Sequence, residues 1–287
     1  MQIPRIGRRR KLRLSLIAAA AAAAAVLVPA SQLASAHTNS ATVAASTPKP
    51  TIVLVHGAWA NNSSWNGVIS RLQGLGYTVD APSNPLMGLT VDDAYLADFL
   101  HSISGPIVLV GHSYGGMVIT NAATGDQQVK ALVYVDAFIP NQGETAGQLV
   151  SARPGSCVNV PDPTTIFNLV PYPGAPAGAV DAYLKPSVFP NCIANGLPRP
   201  EQRLLAATQL PLSTVALSQP SGVPAWKTIP SWAVVGTADH AIPPAELLFM
   251  AHRAHAHITT VNAPHVSMIS NPGVVTNVIL QAVRATS

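Results

Sequence analysis

The sequence is short of charge, of cysteine and of internal repetition. Only 10% of its 287 residues are charged, two are cysteines, and no repeated unit is visible. Six of the 16 basic residues precede position 37, so the remainder holds 10 basic and 12 acidic residues. Beyond its N-terminal segment the chain therefore has no positive excess that would favour nucleic acid or an anionic membrane as a partner.

The N-terminal segment has the pattern of an export signal. A basic stretch at residues 5–13 precedes an alanine-rich apolar stretch at 14–28, and an Ala-Ser-Ala triplet ends at Ala36. We predict a signal peptide at 1–36 and a secreted protein, and the adjacent arginines leave the twin-arginine route open. The apolar stretch is short for a membrane span of about 20 residues, so we expect no stable membrane anchor.

The rest of the chain predicts a disordered leader at 37–50, rich in Ser, Thr and Ala, and one α/β domain at 51–287. Apolar strands alternate with helical segments, as in a mostly parallel sheet with helices on both faces. From about 140 to 230 the alternation stops and proline and glycine become frequent. This stretch predicts an inserted cap over the end of the sheet, with a structureless linker as the alternative.

Strands are predicted at 51–55, 77–81, 107–110, 131–135, 231–235 and 258–261, and helices at 64–75, 117–123, 201–209, 244–254 and 273–283.

Two local features lie within this pattern. Thr90, with Asp93 three residues on, predicts the N-cap of a further helix. Cys157 and Cys192 both fall in the irregular stretch of a chain predicted to be exported, so we expect them to form a disulfide. Two free buried thiols are the alternative.

The most informative motif follows the predicted strand at 107–110. The chain there reads Gly-His-Ser-Tyr-Gly-Gly from Gly111 to Gly116, a Gly-x-Ser-x-Gly pattern between a strand and a helix. Small residues at positions 111 and 115 permit a tight turn that exposes the hydroxyl of Ser113 at the end of the sheet. A serine used as a nucleophile needs a base, an acid that orients the base, and donors for an oxyanion.

Loops after other strands supply the base and the acid. His265 follows the last predicted strand, and the ends of parallel strands meet at one edge of the sheet, so we predict His265 as the base. Asp239 and Asp136 each follow a strand, and both agree with the chain order Ser, Asp, His. The loop around Asp239 holds glycine and proline that turn the chain, so Asp239 is the predicted acid. Asp136 is the alternative acid. If Asp136 is not the acid, we expect it to anchor the start of the inserted segment.

Backbone amides of Ala58 and Tyr114 are the predicted oxyanion donors. Tyr114 follows the serine, and Ala58 lies in the loop after the first strand, where Gly57 allows close approach of the backbone. The histidines beside these groups, His56 and His112, are predicted to be structural. We interpret His252, His255 and His257, whose spacing also suits a metal, as exposed residues on and after a helix.

These motifs, in this order, resemble the α/β-hydrolase superfamily over essentially the whole span 51–285. The His-Gly-Ala-Trp run from His56, combined with the motif at Ser113, is similar to the branch of plant methyl-ester esterases, hydroxynitrile lyases and many bacterial hydrolases. The resemblance implies an α/β-hydrolase fold that uses no cofactor and no metal. It also implies a catalytic triad of Ser113, Asp239 and His265, with Ala58 and Tyr114 as oxyanion donors.

We therefore expect a carboxylesterase that cleaves small to medium hydrophobic esters through an acyl-enzyme, with a small-molecule ester as its partner. The alternatives are a hydroxynitrile-lyase-like or other carbon–carbon lyase on the same residues, and a non-catalytic small-molecule binding protein. Hydroxynitrile lyases of this branch carry a lysine after the catalytic histidine, and Val266 in that place favours ester hydrolysis. Phe138, Phe167 and Phe189 are candidates for the apolar lining. The sequence leaves the oligomeric state open.

Overall fold

The computed structural model describes residues 48–286. The predicted signal peptide at 1–36, and the predicted leader except for its last three residues, lie outside this range. Among the described residues, no helix is both long enough and apolar enough to cross a membrane. The range forms nine strands: β1 (Thr51–Val55), β2 (Val79–Asp80), β3 (Ile107–His112), β4 (Val129–Val135), β5 (Phe167–Val170), β6 (Asp181–Leu184), β7 (Leu212–Ser213), β8 (Ser231–Gly236) and β9 (His257–Val261).

Six of these strands form a parallel sheet in the order β2-β1-β3-β4-β8-β9. Strands β3 and β8 are buried at every position, whereas the edge strands β2 and β9 are partly exposed. Strands covered on both faces need apolar residues on both faces, which is why their sequences read as continuous apolar runs. The predicted fold class is confirmed. The strand predicted at 77–81 is limited to Val79–Asp80, because this edge strand pairs only with β1.

Helices cover both faces of the sheet. Helix α1 (Asn66–Gly74) connects β1 to β2 in one direction along the sheet, and α3 (Gly115–Ala122) connects β3 to β4 in the opposite direction. Because parallel strands are joined by right-handed crossovers, these two helices lie on opposite faces. In the same range, the α-helices are α1 (Asn66–Gly74), α2 (Leu89–His101), α3 (Gly115–Ala122), α4 (Ala146–Ser151), α5 (Phe189–Cys192), α6 (Arg199–Thr208), α7 (Val215–Ser218), α8 (Pro244–Arg253), α9 (Ser267–Ser270) and α10 (Pro272–Thr286).

The predicted start of the helix near Thr90 is wrong. Helix α2 begins one residue earlier, at Leu89, with Gly88 as its N-cap. The buried carboxylate of Asp92 accepts hydrogen bonds from the amides of Met87 (3.0 Å) and Gly88 (3.3 Å). Asp92 thus holds the chain that leads into α2, while the amide of Thr90 in the first turn donates to Gln219 Oε1 (3.1 Å).

The segment 140–230, which we call the cap, contains its own small sheet. Strands β5, β6 and β7 pair antiparallel in that order, and helices α4 to α7 belong to the same segment of the sequence. A disulfide joins Cys157 to Cys192, with a Cα–Cα distance of 5.7 Å, as expected from the sequence. Leu212 is buried, while Leu204 is 62% exposed, so only part of the apolar pattern in the cap packs inward.

Candidate active site

Ser113 lies in the tight turn between β3 and α3, with a left-handed φ of 52°. A non-glycine residue in this conformation is disfavoured and persists only where its surroundings hold it. The turn is fixed by a bond from the Ser113 amide to Val135 O (3.2 Å) and from the Gly116 amide to Ser113 O (2.9 Å). A Cβ atom at Gly115 would lie 2.6 Å from Val55 O, so the turn requires glycine there.

His265 connects Ser113 to Asp239. Its Nε2 lies 2.8 Å from Ser113 Oγ, and its Nδ1 lies 2.7 Å from Asp239 Oδ2. His265 follows β9 and Asp239 follows β8, so parallel strands deliver all three side chains to one edge of the sheet. All three residues are buried. With Nδ1–H donating to the carboxylate, Nε2 is free to accept the serine proton.

Further contacts hold Asp239 and His265 in place. Asp239 Oδ1 accepts from the amides of Ala241 (2.7 Å) and Ile242 (3.0 Å). His112 Nε2–H donates to the backbone oxygen of His265 (2.9 Å). Burial lowers the pKa of His112 well below its ordinary value, and the positive charge of His265 adds to this effect. His112 is therefore a neutral structural residue, which agrees with its expected role.

Asp136 lies beside this array without touching the imidazole of His265. Its Oδ1 accepts from the amide of Gly236 (2.7 Å) and its Oδ2 from the amide of Ser267 (3.1 Å). The carboxylate thus ties the end of β4 to the end of β8 and to the start of α9. This agrees with the structural alternative for Asp136, because its carboxylate anchors the chain to the main sheet just before the cap begins.

The charges near His265 oppose the effect of burial on its pKa. Burial lowers the pKa of His265, but the charge of Asp239, the hydrogen bond to it and the charge of Asp136 together outweigh burial. The pKa of His265 is therefore raised above its ordinary value. Burial raises the pKa of Asp136, and the charge of Asp239 adds to this rise. The site thus holds two carboxylates and one imidazole, all three buried.

Two backbone amides face the same space. Neither the amide of Ala58 nor that of Tyr114 donates to a protein group within residues 48–286. A Cβ atom at Gly57 would lie 2.6 Å from Ser113 Cβ, so only glycine lets this loop pass so close to the turn. His56 fixes the loop, because its Nδ1–H donates to Gly57 O (3.0 Å) and its Nε2 accepts from the amide of Asn84 (3.1 Å). His56 is structural, as expected.

The side chain of Tyr114 points away from this space. Its hydroxyl donates to Asp92 Oδ2 at 2.8 Å, and burial followed by the charge of Asp92 raises the pKa of the phenol. This hydrogen bond to Asp92 holds Tyr114, whose amide faces the cavity, in place. Sequence reasoning missed Asp92, and its only signal was a lone carboxylate on the apolar side of a helix.

A narrow cavity of about 30 Å³ opens at Ser113. Among the residues that line it there is no Asp, Glu, Lys or Arg. Phe138 lines it as expected, whereas Phe167 and Phe189 do not: Phe167 stacks on Trp59, and Phe189 is buried elsewhere in the cap. Cap residues form much of the wall. The apolar lining consists of Ala58, Trp59, Tyr114, Phe138, Ala146, Val150, Val158, Leu212, Leu217, Ala241 and Ile242.

Three histidines near the end of α8 form no centre of their own in the described structure. His252, His255 and His257 are exposed, on or just after α8. Within the described part of the chain, no group of three or more His, Cys, Asp or Glu residues is arranged to hold a metal ion.

Comparisons with known proteins agree with this geometry. The model of the alpha/beta hydrolase family matches residues 52–278. A carbendazim hydrolyzing esterase from Nocardioides sp. (strain SG-4G) is 34% identical over 106 residues, which cover 32% of this chain and 44% of that protein. The alpha/beta hydrolase nvfD from Aspergillus novofumigatus (strain IBT 16806) is 28% identical over 256 residues, 82% of this chain and 96% of that protein. The crystal structure of polyneuridine aldehyde esterase superimposes with a TM-score of 0.69 at 18% identity, covering 82% and 99% of the two chains. The superfamily resemblance seen in the sequence is confirmed.

Proposed function

The chain belongs to the alpha/beta hydrolase family, and from that premise we propose that it is an exported serine hydrolase of carboxylic esters. One observation carries the proposal: His265 lies within hydrogen-bond distance of both Ser113 Oγ and Asp239 Oδ2, beside two unpaired amides. This arrangement supplies a nucleophile, a base, an acid and an oxyanion site together. The relatives named esterase and hydrolase support an ester-hydrolysing enzyme, as the sequence predicted.

Acylation begins with the proton of Ser113. His265 Nε2 accepts it while Oγ attacks the ester carbonyl carbon, and the carbonyl oxygen becomes an oxyanion. The amides of Ala58 and Tyr114 donate to that oxygen, and Asp239 stabilises the imidazolium. The C–O bond to the alcohol then breaks, the alcohol leaves with the proton from His265, and the acyl group stays on Ser113.

Deacylation repeats these steps with water as the nucleophile in place of Ser113. His265 removes a proton from water, which attacks the acyl carbon, and the same two amides stabilise the second oxyanion. The bond to Ser113 Oγ breaks, His265 returns the proton to Oγ, and the carboxylic acid is released. The raised pKa of His265 keeps the imidazole basic enough for both steps.

The cavity favours hydrophobic substrates. Its wall offers no ionic partner for a charged acyl or alcohol group, and burying an unpaired charge there would be costly. The small to medium size of the proposed ester follows from the family resemblance, because a cavity of about 30 Å³ holds little more than a water molecule. The relative named a carbendazim hydrolyzing esterase is consistent with a small-molecule ester as substrate.

Export rests on the sequence and on the cysteines. The predicted signal peptide ends at Ala36, and the disulfide between Cys157 and Cys192 suits an oxidising compartment.

The experiment is ester hydrolysis by the purified mature protein with a series of 4-nitrophenyl esters of increasing acyl length. We expect turnover that is highest for short or medium acyl chains and is lost in Ser113→Ala, while Ser267→Ala, a change of a nearby buried hydroxyl outside the array, keeps most of it. Equal turnover in the wild type and in folded Ser113→Ala would contradict the proposal.

A further inference from the structure

The loop that carries Ala58 is held by the cap through the next residue, Trp59. Trp59 has a left-handed φ of 55° and is only 7% exposed. A bulky aromatic residue rarely adopts this conformation, and it persists only where surrounding contacts hold it. Since Trp59 directly follows Ala58, a fixed Trp59 restricts one end of the short backbone stretch whose other end carries the Ala58 amide.

Contacts from the small sheet of the cap reach Trp59 on three sides. Its backbone amide donates to Leu210 O (3.1 Å), which precedes β7, and its indole N–H donates to Ala182 O on β6 (2.9 Å). Its ring stacks on Phe167 of β5, with a centroid distance of 5.4 Å and an interplanar angle of 27°. Strands β5 and β6 and a residue two positions before β7 therefore contact the side chain or the amide of Trp59.

A further bond holds the loop to the cap two residues later. Asn61 Nδ2 donates to Thr208 O at the end of α6, at 2.8 Å. Gln209, which follows, pairs with both backbone groups of Leu184 on β6, so the end of α6 is itself bound to the sheet (2.9 Å for each bond). The loop thus rests on the cap rather than on the main sheet alone.

We infer that Trp59 is a positioning residue through which the cap sheet holds the Ala58 amide at the oxyanion site. The inference rests on the proposed function, because it concerns the donors of that same site. It implies that the cap contributes to turnover by placing a donor as well as by lining the cavity. A displaced donor weakens the stabilisation of the oxyanion more than the binding of the uncharged ester.

The test compares two tryptophan-to-phenylalanine changes. Trp59→Phe keeps a ring against Phe167 and removes the indole donor. Trp226→Phe removes a bond of the same kind, from the indole N–H to Pro140 O (2.7 Å), at a site that does not line the cavity. For each variant we would measure kcat, KM and the inhibition constant of an alkyl trifluoromethyl ketone, which adds to the serine and forms an oxyanion.

For Trp59→Phe we expect kcat to fall about tenfold or more, since complete loss of one oxyanion donor costs about 10² to 10³ in rate. The ketone should bind more weakly by a similar factor, while KM changes by less than about threefold. Trp226→Phe should resemble the wild type in all three measures. The inference is overturned if both variants behave alike, or if Trp59→Phe raises KM and leaves kcat and ketone affinity unchanged.

A second variant covers the case in which Trp59→Phe does not fold. Phe167→Leu removes the stacking partner from the cap side and lies outside the cavity wall, so it should produce the same pattern at smaller size. Unchanged kcat and ketone affinity in Phe167→Leu would overturn the inference. If the wild type hydrolyses no ester, or if Ser113→Ala hydrolyses esters as fast as the wild type, the proposed function itself is refuted.

Discussion

Replacement of Asp239 by asparagine perturbs the site in a way that the hydrogen bonds define. Asp239 Oδ1 accepts from the amides of Ala241 and Ile242, and Oδ2 faces His265 Nδ1 at 2.7 Å. In Asp239→Asn the side-chain oxygen remains with the two amides, because the opposite rotamer would place donors against donors. The new NH₂ group therefore faces Nδ1, which must become an acceptor.

The expected loss of activity follows from the tautomer. When Nδ1 accepts, the proton of neutral His265 lies on Nε2, 2.8 Å from Ser113 Oγ, and Nε2 no longer accepts the serine proton. The variant also lacks the negative charge that stabilises the imidazolium. An asparagine that holds the wrong tautomer lowers kcat by about 10⁴, which corresponds to about 5 kcal/mol in the activation barrier.

The assay is kcat for the best 4-nitrophenyl ester, with circular dichroism to establish that each variant is folded. Asp136→Asn is the matched control, because the oxygens of Asp136 bind the amides of Gly236 and Ser267 instead of the imidazole. The new NH₂ group of this variant must face one of the two amides, which should lower its stability, but we expect kcat of the folded variant to fall by less than about tenfold. If Asp239→Asn keeps more than a tenth of the wild-type kcat, or if Asp136→Asn shows the larger loss, the assignment of the acid is wrong.

Two further predictions concern pH and the disulfide. Because only neutral His265 accepts a proton and its pKa is raised, kcat/KM should fall as the pH decreases, with a midpoint above 6.5. Asp136→Asn removes a nearby negative charge and should move that midpoint to lower pH, and an unchanged pH profile would contradict the electrostatic account. Reduction of the bond between Cys157 and Cys192, which are 35 residues apart, should lower the free energy of unfolding by about 4 kcal/mol. Urea unfolding with and without dithiothreitol measures this difference, and coincident curves would argue against a stabilising disulfide.

The central sheet and the turn at Ser113 were predictable because local sequence dictates both. Strands buried on both faces must be apolar throughout, and a serine in a tight turn needs small neighbours such as Gly115. The loops of Asp239 and His265 follow from the rule that parallel strands end at one edge. Each of these inferences requires only a short stretch of sequence or the order of the strands.

The features that escaped prediction depend on contacts between distant residues. The indole of Trp59 binds a carbonyl 123 residues away, and the carboxylate of Asp136 binds amides 100 and 131 residues away. The cap sheet has short strands without a clear alternation, so its pairing is set by tertiary packing. Similarly, the start of α2 depends on Gln219, which accepts from the amide of Thr90 across 129 residues.

The most direct test of the central claim is reaction of the mature protein with a fluorophosphonate, followed by peptide mass spectrometry. The account predicts one phosphonate adduct on Ser113, at a rate that falls sharply in His265→Ala and with no adduct in Ser113→Ala. A folded wild-type protein that remains unlabelled, or that carries the adduct on another serine, would contradict the claim that Ser113 is the nucleophile.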